Sequence, residues 1–460
     1  MENTAQAINQ KLKPEPSALY RWVVLVFISF AMFGNYYIYD SISPLADLLA
    51  TQLKFSNSDI GLLQAIYSFP NIIMVLIGGL IIDRIGTRKS VFIFTSLIMI
   101  GALVTAVRGD LYLMAAGRLI FGLGAESMIV AITTIIARWF KGKELSFAFG
   151  LNLTVARFGS FMALNSPSWG KSLYNYWQSP LWITVAAGVF AIFCIVIYYF
   201  MDLYASKNYH LAKEGNQDKI VFKEIFKFGG SFWFITALCV TFYSAIFPFQ
   251  TFAIKFFQEA HGTTREVGGN LSSMLTLAAM FFTPLFGLLA DKIGKRSLLM
   301  MFGSLLIIPV YLIMAYKVDL ASYIGLSGGL PVDLAFFGIE QTIIPYYLMV
   351  PMSMMGIAFS LIPAVMWPSV ALVVDESRLG TAYGLMTMIQ NIGLFGFNLL
   401  IGFANDISGA SAANPAGYNA GMWIFSCLGF FGLFFAFLLR AREMGSKGHG
   451  LEMASGKKGN

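Results

Sequence analysis

The chain has 460 residues, of which 57% are hydrophobic and only 12% charged. Soluble domains carry about 25% charged residues, so this composition excludes a soluble globular protein and points to an integral membrane protein. The formal net charge of +7 does not indicate nucleic acid, because Lys and Arg concentrate in alternate connections between apolar runs, the positive-inside pattern.

Residues 1–20 are polar, contain Pro14 and Pro16, and are expected to form a cytoplasmic tail. A spanning helix needs about 20 apolar residues. On that measure the first half holds candidate spans near 21–50, 59–82, 89–107, 111–138, 144–166 and 180–203. The second holds spans near 230–257, 266–290, 297–316, 345–374, 379–405 and 418–441. The first run is far longer than a signal-peptide core and has no A-x-A cleavage site, so it is expected to be retained. The polar segment 204–229, with Lys207, Lys213, Lys219, Lys223 and Lys227, is a cytoplasmic linker between halves 21–203 and 230–441. Residues 442–460 form a cytoplasmic C-terminal tail. The expected fold is therefore an all-α membrane protein of twelve transmembrane helices with both termini cytoplasmic.

Cys194, Cys239 and Cys427 lie in apolar runs without metal-ligand spacing, and His210, His261 and His449 fall in loops or the tail. No metal, no cofactor and no catalytic set is expected.

The two halves repeat. Gly79-Leu-Ile-Ile-Asp83-Arg84-Ile-Gly86-Thr-Arg88-Lys89 follows the second span, and Gly287-Leu-Leu-Ala-Asp291-Lys292-Ile-Gly294-Lys295-Arg296 follows the eighth. In each, a Gly lets helices approach, an Asp sits at a helix end, and basic residues lie at the inner surface. Such turns can latch one conformation by charge pairing, which makes Asp83, Arg84, Arg88, Asp291, Lys292 and Arg296 candidate gating residues. A second echo sets Phe149-Gly150-Leu151 against Tyr383-Gly384-Leu385, hence Arg157 against Asn391 and Gly159 against Gly393. The two echoes run at different offsets, so the second half carries an insertion, placed in the long outer connection 317–344. Two six-helix halves joined by a basic loop are the parallel-repeat arrangement of a secondary transporter.

The stretch Arg118 to Arg157 buries three ionised residues, Arg118, Glu126 and Arg157, in two apolar runs. Each costs about 2.5–3.5 kcal/mol at the centre of a membrane helix on insertion scales, so each is expected to face the bundle interior. At about 1.5 Å per residue, Glu126 and Arg157 fall near the bilayer midplane, where transporters of this architecture hold substrate. A carboxylate can hold an ammonium, and a guanidinium can hold a carboxylate in a bidentate fork. The pair therefore either grips a small zwitterion such as a dipeptide or forms an internal ion pair. Arg118, nearer the outer face, either contacts substrate or braces helix packing. Asp40, Tyr36, Tyr67, Trp367 and Asn391 complete the candidate binding residues, with Asn35, Tyr37 and Tyr39 as possible lining.

The Asp83 turn resembles the signature loop of the major facilitator superfamily, and Arg118-Leu-Ile-Phe-Gly122-Leu-Gly124 is similar to that superfamily's R-x-x-x-G-x-G motif. A closer resemblance is carried by Phe33-Gly-Asn-Tyr-Tyr-Ile-Tyr-Asp40, Phe121-Gly-Leu-Gly-Ala-Glu126-Ser127, Trp139-Phe-Lys-Gly-Lys-Glu-Leu145 and Ala156-Arg157-Phe-Gly-Ser160 in the first half. Phe247-Pro248-Phe249, Trp367-Pro368, Leu379-Gly-Thr-Ala-Tyr-Gly384 and Gln390-Asn391-Ile-Gly393 carry it in the second. These resemble the major facilitator superfamily domain-containing protein 1 group. The resemblance implies a facilitative dipeptide carrier in which Glu126 and Arg157 take part in peptide binding.

The expected function is alternating-access transport of small zwitterionic peptides, as a dipeptide uniporter and a monomer, with the lipid bilayer and the small-molecule substrate as its partners. A proton-coupled or exchanging carrier of small organic anions is the alternative transporter, with Arg118 and Arg157 on the anion and Glu126 on the proton. A non-transporting receptor or assembly subunit is the alternative of another class. The tails show no acidic dileucine sorting signal, which favours a bacterial inner membrane over a lysosome.

Overall fold

A computed structural model of the chain describes residues 14–140, 144–211, 228–334, 339–375, 378–446 and 448–453. The first half contributes α1 (Ala18–Asp40), α2 (Asn57–Ile85), α3 (Thr87–Val107), α4 (Leu111–Phe140), α5 (Leu145–Leu164) and α6 (Gln178–Asn208). The second contributes α7 (Gly230–His261), α8 (Arg265–Ile293), α9 (Arg296–Ala315), α10 (Tyr346–Val373), α11 (Leu379–Ile407) and α12 (Asn419–Glu443). Among the described residues, eleven of these helices are long and apolar enough to cross a membrane, and twelve when the bent α2 is counted as one span. Large apolar side chains such as Leu80, Phe193, Leu288, Phe403 and Phe430 project outward from them. That is the surface a lipid-facing bundle presents, because lipid removes the penalty for exposed hydrocarbon.

Helix ends follow the local sequence. Ser56 and Asp59 form a reciprocal capping box at the start of α2, and Thr264 caps α8. The repeat is visible in the backbone: α2 ends at Gly86 with φ of 82°, and α8 ends at Gly294 with φ of 69°. A side chain rarely tolerates such angles, which accounts for a Gly in both turns. Arg88 then reaches Asp202 at the end of α6 (3.5 Å), whereas Arg296 reaches back to Asp291 (2.5 Å).

An even number of spans puts both termini at one end, here called the terminal end; the opposite end is the far end. The first predicted span, 21–50, is not one straight helix. It breaks after Asp40 into a 3-10 turn, Ser43–Leu45, and a short helix, Ala46–Gln52, with Pro44 at the first turn. Proline lacks the amide hydrogen that would continue α1. The long connection 317–344 is more ordered than a plain loop. It holds a helical turn, Leu320–Tyr323, and strands β1 (Gly329–Leu334) and β2 (Ile339–Pro345), paired antiparallel with Val332 opposite Thr342. The linker's residues 212–227 and the termini 1–13 and 454–460 lie outside the described residues. The C-terminal segment packs back at the terminal end. Leu451 is buried, its carbonyl accepts from the Arg296 amide (3.1 Å), and the Glu452 carbonyl accepts from the Lys295 amide (3.3 Å).

The halves meet along α2 against α11 and along α5 against α8. Gly61 and Gly402 make the first seam close: a Cβ on Gly61 would lie 2.5 Å from the Asn398 carbonyl oxygen, and one on Gly402 would lie 2.5 Å from that of Asn57. One apolar core lies wholly within α1–α6. The other fills α7–α12 and continues across the far end into Ile42, Leu45, Leu49, Met114 and Trp177 of the first half. Polar contacts between the halves cluster at that same end. Asp47 accepts from Arg265 Nε (3.2 Å) and Gln258 (3.3 Å), and Asp406 accepts from the Asn57 and Ser58 amides (2.8 and 2.7 Å). Buried Lys255 donates to Asn57 (2.7 Å), and Ser43 donates to the Gln250 carbonyl (2.5 Å).

Candidate functional site

Between the halves lies a cavity of about 270 Å³. Five of the helices that line it carry residues singled out from the sequence. Tyr36 and Asp40 come from α1, Tyr67 from α2, Glu126 from α4, Arg157 from α5 and Trp367 from α10.

Glycines fix the two central charges. Gly124 presses α4 onto α3, where an added Cβ would lie 2.4 Å from the Phe94 carbonyl oxygen, and Glu126, two residues on, turns toward the cavity. Gly159 presses α5 onto α1, 2.3 Å from the Phe33 carbonyl by the same measure, and leaves Arg157 on the cavity side. The Tyr67 hydroxyl donates to Glu126 Oε1 (3.4 Å). The Arg157 guanidinium lies between two rings, 5.5 Å from Tyr36 and 5.4 Å from Phe359. Among the described residues, no ion pair joins Glu126 to Arg157; Tyr67 meets the first, Tyr36 and Phe359 flank the second, and Asp40 lies in the same wall.

Asp40 lines this cavity and also a small pocket above it, toward the far end, shared with Ser43, Gln64 and Gln250. Trp367 is held from two sides. Its indole nitrogen donates to the Tyr243 hydroxyl (2.9 Å), and the Tyr383 hydroxyl donates to its carbonyl (3.1 Å).

Two candidates stand elsewhere. Arg118 is 2% exposed and sits behind the wall. It donates to the carbonyls of Leu63 (3.2 Å), Ile38 (3.1 Å) and Tyr39 (3.3 Å) and to Gln64 Oε1 (2.7 Å), tying α4 to α1 and α2. Asn391 is buried beside the cavity, not in its wall, and donates to the Thr387 carbonyl (3.0 Å). The α11 cavity face is Thr387, Gln390 and Leu394, and one residue past Gln390 the helix has turned by about 100°. Tyr37 likewise points away, toward Trp169 at 6.5 Å, whereas Asn35 and Tyr39 do line the cavity. Gln250 and Gln390 were legible as polar residues on apolar spans; Tyr243 and Phe247 carry no such signal.

Twelve spans in two halves around a cavity with charged and aromatic walls define a membrane transporter. The protein-family model for the Major Facilitator Superfamily matches residues 26–349 and 249–455. The lysosomal dipeptide transporter MFSD1 of Danio rerio is 31% identical over 412 residues, covering 85% of this chain and 82% of that protein. The Homo sapiens protein of the same name is 31% identical over 417 residues, covering 86% and 82%. The chain belongs to the major facilitator superfamily, in its MFSD1 group. These relatives are transporters rather than enzymes, in line with the sequence reading. Among solved structures, a point mutant of the nucleoside transporter NupG superposes with a TM-score of 0.67 at 15% identity, covering 91% of this chain and 99% of that one. A bacterial homolog of the human lysosomal transporter Spinster, in an inward-facing and unoccupied conformation, gives 0.67 at 16% identity, covering 93% and 98%. Both share the fold.

Proposed function

We propose that this chain is a dipeptide uniporter working by alternating access. The observation that carries the reading is that Glu126 and Arg157 face one cavity with no ion pair between them. A zwitterion with separated termini satisfies both: its ammonium meets Glu126 and Tyr67, and its carboxylate meets Arg157 in a bidentate fork. The resemblance to relatives named as dipeptide transporters supports the same substrate class. In this reading residues 21–203 and 230–441 rock as two bodies around the cavity. The Asp83–Arg88 and Asp291–Arg296 turns stabilise the opposite facing state. With both termini cytoplasmic in a bacterial inner membrane, the latched far end faces outward and the monomer rests closed to the outside.

A second reading is coupled transport, favoured by one feature: Asp40 brings a further carboxylate into the cavity. Uptake of a labelled dipeptide into proteoliposomes, with and without an imposed pH gradient, tests both. Uniport predicts equilibration of the dipeptide that the gradient does not drive; accumulation above equilibrium assigns the coupled mode. Absence of dipeptide flux in either condition overturns the proposal.

A further inference from the structure

The cavity's charge is divided unequally. Its charged wall residues, Asp40, Glu126 and Arg157, all belong to α1, α4 and α5 of the first half. The second half presents uncharged groups: Tyr243, Phe247 and Trp367 as aromatics, with Gln250, Thr387 and Gln390 as neutral hydrogen-bonding groups. The aromatics form one continuous shelf. Phe247 stacks on Tyr243 at 5.5 Å with a 13° interplanar angle, and Trp367 is bonded to the Tyr243 hydroxyl at 2.9 Å. Tyr39 meets Phe247 edge-on at 6.2 Å, joining the shelf to the first-half wall. A shelf whose rings fix one another loses little freedom on meeting a ligand.

We infer that the two halves divide recognition of the peptide, the first half holding its charged termini and the second half's Tyr243–Phe247–Trp367 shelf selecting its side chains, in favour of apolar and aromatic ones. The inference rests on the dipeptide reading above and adds its side-chain preference. An acidic side chain brings a fourth carboxylate into a cavity that already holds Asp40, Glu126 and the peptide's own C-terminus, with Arg157 already engaged by that terminus. A ring against the shelf is removed from water and gains offset or edge contacts. Gln390 and Thr387 can bond the peptide amide without adding charge.

The test is competition by Ala-Ala, Ala-Phe, Ala-Asp and Ala-Lys for a bound labelled dipeptide on the full-length purified protein. The expected order puts Ala-Phe roughly tenfold or more ahead of Ala-Ala, with Ala-Lys, which only Asp40 can meet, behind Ala-Phe and Ala-Asp last. In Phe247→Leu and Trp367→Phe, chosen to keep the shelf packed, the lead of Ala-Phe over Ala-Ala shrinks, and a thermal melt near that of wild type reports a folded protein. In Arg157→Lys all four weaken together and the order is kept. A charged side chain that binds as well as Ala-Phe, or an order unchanged in both shelf variants, overturns the inference and leaves the dipeptide reading standing. Failure of every unblocked dipeptide to bind overturns both.

Discussion

Arg157 on α5 holds its guanidinium 5.4 Å from the ring of Phe359 on α10, so a cation of the first half touches an aromatic of the second. Phe359 is itself buried. In the proposed dipeptide reading, the contact sets Arg157, which would hold the peptide carboxylate, against the half that would move relative to it. A cation–π contact contributes about 0.5–2 kcal/mol, rising with desolvation, and Arg157 is partly buried. Phe359→Leu is therefore expected to weaken dipeptide affinity by roughly 2- to 30-fold, and Phe359→Tyr to leave it near wild type. Equilibrium binding of a labelled dipeptide checks this, and equal affinity in Phe359→Leu contradicts it.

Arg118 acts as a brace. Its guanidinium is spent on three backbone carbonyls and Gln64. Hydrogen bonds to a charged donor contribute about 1.5–3 kcal/mol each in buried settings. Arg118→Lys loses the fork that spans α1 and α2, and is expected to lower the apparent melting temperature while the folded fraction keeps its dipeptide affinity. A stable variant that no longer binds contradicts the brace and returns Arg118 to the substrate.

The far end carries the latch. Asp47 joins Arg265 and Gln258 across the halves, and both side chains of the Asp47–Arg265 pair are partly exposed. Such a pair contributes about 1 kcal/mol or less, which shifts a two-state equilibrium by up to about fivefold. Asp47→Asn is expected to raise labelling of a Ser43→Cys probe by a membrane-impermeant thiol reagent within that limit. Labelling that stays level, with Asp47→Asn still folded, shows that the apolar core shared across this end holds it closed alone.

Reading the sequence recovered the spans because each is a long apolar run, and the repeat because Gly86 and Gly294 both take a positive φ that other residues rarely adopt. It singled out Glu126 and Arg157, which both line the cavity, because an ion inside a membrane helix is costly enough to face the bundle interior. Other features depend on tertiary placement. Asn391 aligned with Arg157 in the repeat, but a rotation of one residue gives the cavity face of α11 to Gln390. Whether Arg118 met substrate or backbone depended on where the carbonyls of Ile38, Tyr39 and Leu63 fall, which no spacing along one helix reveals. The hairpin in 317–344 was hidden because Gly329-Leu-Pro-Val-Asp-Leu334 has a proline within the strand and a weak β pattern.

The central claim is that Glu126 takes the ammonium of the peptide and Arg157 its carboxylate. The most direct test is ligand-induced thermal stabilisation of the purified protein by Ala-Ala, its N-acetylated form and its C-amidated form, in wild type, Glu126→Gln and Arg157→Lys. The account predicts that only the unblocked dipeptide stabilises wild type and that each substitution weakens that shift. Stabilisation of wild type by the N-acetylated peptide equal to that by Ala-Ala would contradict it, because Glu126 would then have no ammonium to hold.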